Sequence, residues 1–189
     1  MGSHLVHFYE DEASYAYLVG SFIEGALRAG DRCIVVATKA HRNCLEDELT
    51  ARGFLDGSAA SECYVALDAA ETLSRFMVEG WPDAKRFSDV IGGIIGDAGK
   101  RGNGRVRVFG EMVALLYAGG KPEAAIHLEN LWNKVAKLHS FSLLCAYPLG
   151  PLLMEERRVS LRHICAEHSG LSLPKQWGPQ YFREALVET

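Results

Sequence analysis

The sequence has no apolar run approaching the length of a membrane span, and its first residues carry no basic segment followed by an apolar signal core. Neither an embedded nor an exported chain is expected, so the reading is a cytoplasmic protein. It also lacks a basic excess: 20 Lys and Arg stand against 24 Asp and Glu, a formal net charge of -4. Without a basic stripe, sequence-independent adhesion to a phosphate backbone has little electrostatic support, and direct nucleic-acid contact is not expected. Cysteine is sparse. Cys33, Cys44, Cys63, Cys145 and Cys165 are odd in number and dispersed, unlike the dense even sets that staple small secreted domains. Reduced thiols follow, and Cys33, Cys63 and Cys145 fall in apolar strand-like runs where a free cysteine behaves as a small hydrophobe. Met1 to Ser3 resemble a cloning remnant and carry no weight, which leaves His4 ambiguous.

Several chemistry-bearing motifs are missing. The segment Gly92-Gly-Ile-Ile-Gly96-Asp-Ala-Gly99-Lys100-Arg101 invites a phosphate-loop reading, but that motif needs a strand before it, a helix after it and Ser or Thr after the lysine. Here the order is reversed and Arg101 stands at the hydroxyl position. The first strand-to-helix turn, where a doubly wound nucleotide binder places its glycines, reads Tyr9-Glu-Asp-Glu-Ala13, and three carboxylates there would repel a phosphate. There is no Gly-x-Ser-x-Gly elbow. Cys165-Ala-Glu-His168, with His163 close by, has a spacing able to hold a metal, yet no second Cys/His pair completes a four-ligand set. No metal and no cofactor are expected.

What is present is an alternation of continuous apolar strands with helical patterns. Strand-like runs at Leu5 to Tyr9, Arg32 to Thr38, Cys63 to Leu67, Val106 to Phe109 and Phe141 to Ala146 alternate with helices at about 13–29, 41–52, 69–79, 84–100, 112–117 and 122–139. Buried strands separated by helices predict an α/β fold, a three-layer sandwich around a mainly parallel central sheet covered on both faces. With 48% hydrophobic residues the chain can build a full core, and 1–189 reads as one domain. Residues 149–189, punctuated by prolines and helical only over Leu152 to Ser169, form an extension expected to pack on that core.

Ligands of open α/β sheets bind at the carboxyl ends of the strands. Glu111 ends such a strand, Glu129, Trp132 and Asn133 share one helix face at i, i+3 and i+4, and Tyr147 ends the next strand, so the three elements are expected to deliver polar groups to one rim. Glu111 could act as a general base, cap the next helix or pair with Arg107. Trp132, spaced helically with Leu128, Leu131 and Val135, could equally be core.

The combination of His4-x-x-x-Phe8-Tyr9-Glu-Asp, Val106-Arg-Val-Phe-Gly-Glu111-Met-Val, Leu128-Glu-x-Leu-Trp132-Asn133 and Leu144-Cys-Ala-Tyr147-Pro148 resembles the methanogen/methylotroph sensory (MEDS) domain family over Leu5 to Pro148, with Ile164-Cys-x-x-His168 as a further match. The resemblance implies a signal-input domain for small hydrocarbon derivatives, found beside histidine kinases, anti-sigma-type ATPases and DNA-binding modules. It implies a degenerate RecA/KaiC-like, P-loop NTPase-derived fold, with the Gly110-Glu111 strand in the place of the Walker B strand. It also implies a ligand pocket of His4, Tyr9, Glu111, Glu129, Trp132, Asn133 and Tyr147.

The expectation is therefore a non-catalytic input domain that binds a small organic ligand and regulates a signalling partner such as a histidine kinase or an anti-sigma-type regulator. The region from Pro148 onward, with Trp177, Tyr181 and Phe182, would serve as the contact. A homodimer stays open. The alternatives are a residual nucleotide-binding protein or ATPase with Glu111 activating water, and a pure interaction module with an empty pocket.

Overall fold

A computed structural model describes residues 2–57, 60–101, 103–154 and 158–173. Along the chain run β1 (His4–Tyr9), α1 (Glu12–Arg28), β2 (Arg32–Ala37), α2 (Lys39–Ala51), β3 (Tyr64–Asp68) and α3 (Ala69–Ser74). A hairpin of β4 (Met77–Val78) and β5 (Trp81–Pro82) follows, then α4 (Ala84–Phe87), a π-helical turn at Ser88–Gly92 and α5 (Gly93–Gly99). The remainder is β6 (Val106–Gly110), α6 (Met112–Ala118), α7 (Pro122–Val135), β7 (Ser142–Pro148), α8 (Leu149–Leu152), α9 (Arg158–Glu167) and β8 (Gly170–Ser172).

Strands β3, β2, β6, β7, β1 and β8 lie side by side in that order, and every neighbouring pair is parallel. Parallel strands buried on both faces need a helical layer on each, and alternation along a strand assigns its residues to the two layers. In β2, Cys33, Val35 and Ala37 pack with Val19 and Ile23 of α1 and Leu45 and Leu49 of α2. Ile34 and Val36 turn to the other face, where Ile91, Ile95, Val113, Leu128 and Leu131 complete a larger core. The architecture is thus α/β, a three-layer sandwich about an all-parallel six-stranded sheet.

Helix ends follow from local chemistry. Asp11 caps α1, its carboxylate accepting from the Ser14 amide at 2.7 Å while the Ser14 hydroxyl faces the Asp11 amide, a reciprocal capping box. At the far end the Gly30 amide donates to the Leu27 carbonyl and the Asp31 amide to the Ala26 carbonyl, a Schellman turn that needs the positive φ of 67° found at Gly30.

Two stretches differ from the sequence pattern. The helix expected to reach Glu79 stops at Ser74, because Glu79 and Gly80 both take positive φ in the tight turn that folds β5 back on β4. The stretch Leu152 to Ser169 is not one helix: it holds the end of α8 and then α9, and β8 follows as an edge strand on β1. Leu149, Leu152, Leu161 and Ile164 are buried in the larger core. Trp177, Tyr181 and Phe182 lie outside the described residues.

Candidate functional site

The side chain of Glu129 is fully buried on α7, an expensive place for a carboxylate unless its lone pairs are met. They are. Alternation in β1 turns His4, Val6 and Phe8 toward α7, and alternation in β7 turns Leu143, Cys145 and Tyr147 the same way. The Tyr147 hydroxyl donates to Glu129 Oε1 at 2.8 Å, and Cys145 Sγ lies 3.5 Å from Oε2. His4 Nε2 stands 3.3 Å from Oε2 and His168 Nε2 stands 3.6 Å from Oε1. Burial alone would push the Glu129 carboxyl up, but the facing imidazoles and the Tyr147 hydroxyl hold it below its ordinary value. For His4, the carboxylate outweighs burial and the imidazole is held above its ordinary value. Burial wins at His168, which is held lower, and pushes the Tyr147 phenol and Cys145 thiol well up.

Asn133, one turn beyond Glu129, supports His4 from behind. Its amide nitrogen donates to the Glu167 backbone carbonyl at 2.9 Å and to Glu167 Oε2 at 2.8 Å, so its oxygen accepts from His4 Nδ1 at 2.9 Å. Outside this layer, toward the amino ends of the strands, lies a cavity of about 290 Å³ lined by His4, Trp132, Asn133, Phe141, Leu143 and Glu167 among others. Trp132 is 1% exposed and lies over Gly110, where a Cβ would come within 3.5 Å of its ring. Among the described residues the indole N–H has no hydrogen-bond partner. A larger cleft of about 370 Å³ near Asp31, Arg105 and Arg107 is less inviting, since Asp31 is already paired with both arginines at 2.9 and 3.0 Å.

Tyr9 and Glu111 belong elsewhere. The odd separation of His4 and Tyr9 on one strand puts them on opposite faces, so Tyr9 packs edge-on to Tyr15 of α1 with ring centroids 5.1 Å apart. Glu111 leaves the carboxyl end of β6 toward the same layer, where Oε2 accepts from the Thr38 amide at 2.7 Å and Oε1 meets His41 Nδ1 at 2.5 Å. It neither pairs with Arg107, which binds Asp31, nor caps α6 with its side chain. His41 Nε2 continues to Glu12 at 2.9 Å, and the ring stacks on Tyr15 at 4.1 Å. Burial foremost, then Glu111, pushes the Tyr9 phenol up to about 12.

The expected single rim is therefore two sites on opposite faces of the sheet. His4, Glu129, Trp132, Asn133 and Tyr147 come together, while Tyr9 and Glu111 join Thr38, His41 and Glu12. The sequence singled out neither Cys145 nor His41 for a site, and His168 only beside Cys165 in an incomplete metal set. Cys145 shares strand parity with Tyr147, a usable signal. His41 follows the carboxyl end of β2, the strand beside β6.

No curated protein matches the chain. The family model described as MEDS, the methanogen/methylotroph, DcmR sensory domain, matches residues 3–166, which takes in the Glu111 site and the Glu129 site apart from Glu167 and His168. A match over most of the length, covering the three strands and the helix that carry the four motifs, places this chain in the MEDS family of sensory domains.

Proposed function

We propose that the chain is a non-catalytic signal-input domain that binds a small organic molecule, of the hydrocarbon-derivative class, and passes the change to a cytoplasmic signalling partner such as a histidine kinase or an anti-sigma-type transcriptional regulator. The observation that carries the reading is the 290 Å³ cavity, which combines an apolar wall of Trp132, Phe141 and Leu143 with polar groups of His4, Asn133 and Glu167. A few polar groups on an apolar cavity are what orientation of a small ligand requires. Glu129 and Tyr147 stand behind the polar groups and hold them in place, whereas Tyr9 and Glu111 would act only through the sheet.

A degenerate RecA/KaiC-like ancestry belongs to the same reading. The N-terminus of α1, where such a fold would cradle phosphate, is capped by the chain's own Asp11, and Glu10 and Glu12 flank it. This weighs against the nucleotide-binding alternative.

Thermal-shift titration with short-chain alcohols, amines and carboxylic acids, and separately with ATP and magnesium, tests the proposal. Stabilisation that grows with the concentration of an organic compound, and is lost in an Ala136→Leu variant that fills the cavity, is the expected result. A shift with ATP and magnesium alone, or an organic-ligand shift indifferent to Ala136→Leu, overturns it.

A further inference from the structure

His168 presents an unexplained polar atom. Its Nδ1 lies 2.6 Å from the Ile164 carbonyl oxygen, which can only accept, so Nδ1 carries the proton and Nε2 of the neutral ring is a bare lone pair. That nitrogen is buried, lacks a hydrogen-bond partner among the described residues, and faces Glu129 Oε1. His4 is oriented in the same way: Asn133 Oδ1 takes its Nδ1 proton and leaves Nε2 directed at Glu129 Oε2 and, at 3.6 Å, at Cys145 Sγ. Two imidazole nitrogens, a carboxylate and a sulfur thus converge. The Cys145 thiol and a protonated His4 can each donate to Glu129 Oε2, but the bare His168 nitrogen still faces Oε1 with no proton between them.

The spacing is informative. Zinc bonds of about 2.0–2.3 Å arranged tetrahedrally set ligand atoms about 3.3–3.8 Å apart. Glu129 Oε2 stands 3.3 Å from His4 Nε2 and 3.5 Å from Cys145 Sγ, those two stand 3.6 Å from each other, and His168 Nε2 meets the carboxylate through Oε1 at 3.6 Å; with one ligand atom from each residue, all four lie within 4.8 Å of one another. The outer partners also match the habit of metal-bound histidines, whose second nitrogen donates to a carbonyl or amide oxygen: Ile164 for His168, Asn133 for His4.

We propose that His4, Glu129, Cys145 and His168 bind one zinc ion in a closed, four-ligand structural site. This departs from the absence of metal expected of the sequence, and it does not depend on the organic-ligand proposal. A sulfur in the set disfavours magnesium and calcium, which take oxygen ligands, and a tetrahedral set of nitrogen, oxygen and sulfur donors suits zinc. On binding, Cys145 gives up its thiol proton to solvent and enters as thiolate. The ion would join β1, α7, β7 and the residue following α9.

The test uses the full, untagged chain. Elemental analysis of the purified protein should return about one zinc per chain, and the chelated protein titrated with Co²⁺ should develop a thiolate-to-metal charge-transfer band that saturates at one equivalent. Cys145→Ala should abolish the band while circular dichroism confirms a folded chain; if that variant does not fold, Cys145→Ser carries the same readout. Asn133→Ala, which keeps all four ligands, should weaken zinc binding about 10–100-fold. Sub-stoichiometric metal with no cobalt band in the wild type, or a band that persists without Cys145, overturns the proposal.

Discussion

Glu111 and His41 meet across two neighbouring strand ends, Oε1 to Nδ1 at 2.5 Å, with Glu111 Oε2 simultaneously accepting the first amide after β2. The pair ties α2 to β6 and makes a pH-dependent contribution. Chiefly through the hydrogen bond to Glu111, His41 is held above its ordinary value near 6.5. A raised folded-state value means that the stabilisation is fully present below the unfolded value and is lost as pH rises through the folded one. The urea midpoint of the wild type, measured against that of His41→Gln from about pH 6 to about pH 9, should therefore fall over that window. A difference that stays flat with pH would mean that His41 carries no charge in the pair.

Removing the carboxylate should act through the backbone as well. Glu111→Ala takes away the carboxylate that the Thr38 amide donates to, and a donor deprived of its partner costs about 1–3 kcal/mol when it is shielded from water. A double-mutant cycle with His41→Gln, read by chemical denaturation, should show the two changes to be strongly non-additive because they share one contact.

Trp132 separates packing from recognition. It sits edge-on to Phe87 at 5.1 Å and tilted to Phe141 at 6.1 Å, so Trp132→Ala should cost about 3–5 kcal/mol whatever the cavity holds. Trp132→Phe removes an N–H that has no partner among the described residues, so it should cost much less stability. The same variant should nonetheless reduce the thermal shift produced by any small molecule that uses that N–H. A Trp132→Phe protein with wild-type ligand response would remove the indole from the recognition surface.

The turn after α1 offers a backbone test away from both sites. With φ of 67° at Gly30, a Gly30→Ala substitution forces a side chain into the left-handed region at a cost of about 1–2 kcal/mol. The loss should appear as a lowered thermal midpoint, with metal content and ligand response unchanged.

Much of the fold was legible because each strand carries its own instruction. The run Cys33-Ile-Val-Val-Ala37 is apolar on both parities, and only a parallel strand between two helical layers wants that. Glu111 at a strand's carboxyl end was equally legible. The face it serves was not, since that depends on how β6 twists into the next helix. For His4 and Tyr9 the answer was available as arithmetic: five positions apart on one strand, they must point oppositely. The Glu129 cluster was hidden for a different reason. Residues 4, 129, 145 and 168 have no diagnostic spacing, and only the strand order, with β1 between β7 and β8, brings them within reach of one another.

That strand order also has a mechanical reading. Strand β8 lies parallel to β1, Leu5 opposite Gly170 and His7 opposite Ser172, and the Ser169 hydroxyl donates to the His4 carbonyl at 2.9 Å. Tension applied between Ser3 and Leu173 would load this seam lengthwise, so its hydrogen bonds would share the force in shear instead of opening one by one like a zipper. A partner tugging on the chain beyond residue 173 would load the Ser172–His7 end of this seam directly, and the Ser169–His4 hydrogen bond would carry a share of the same pull.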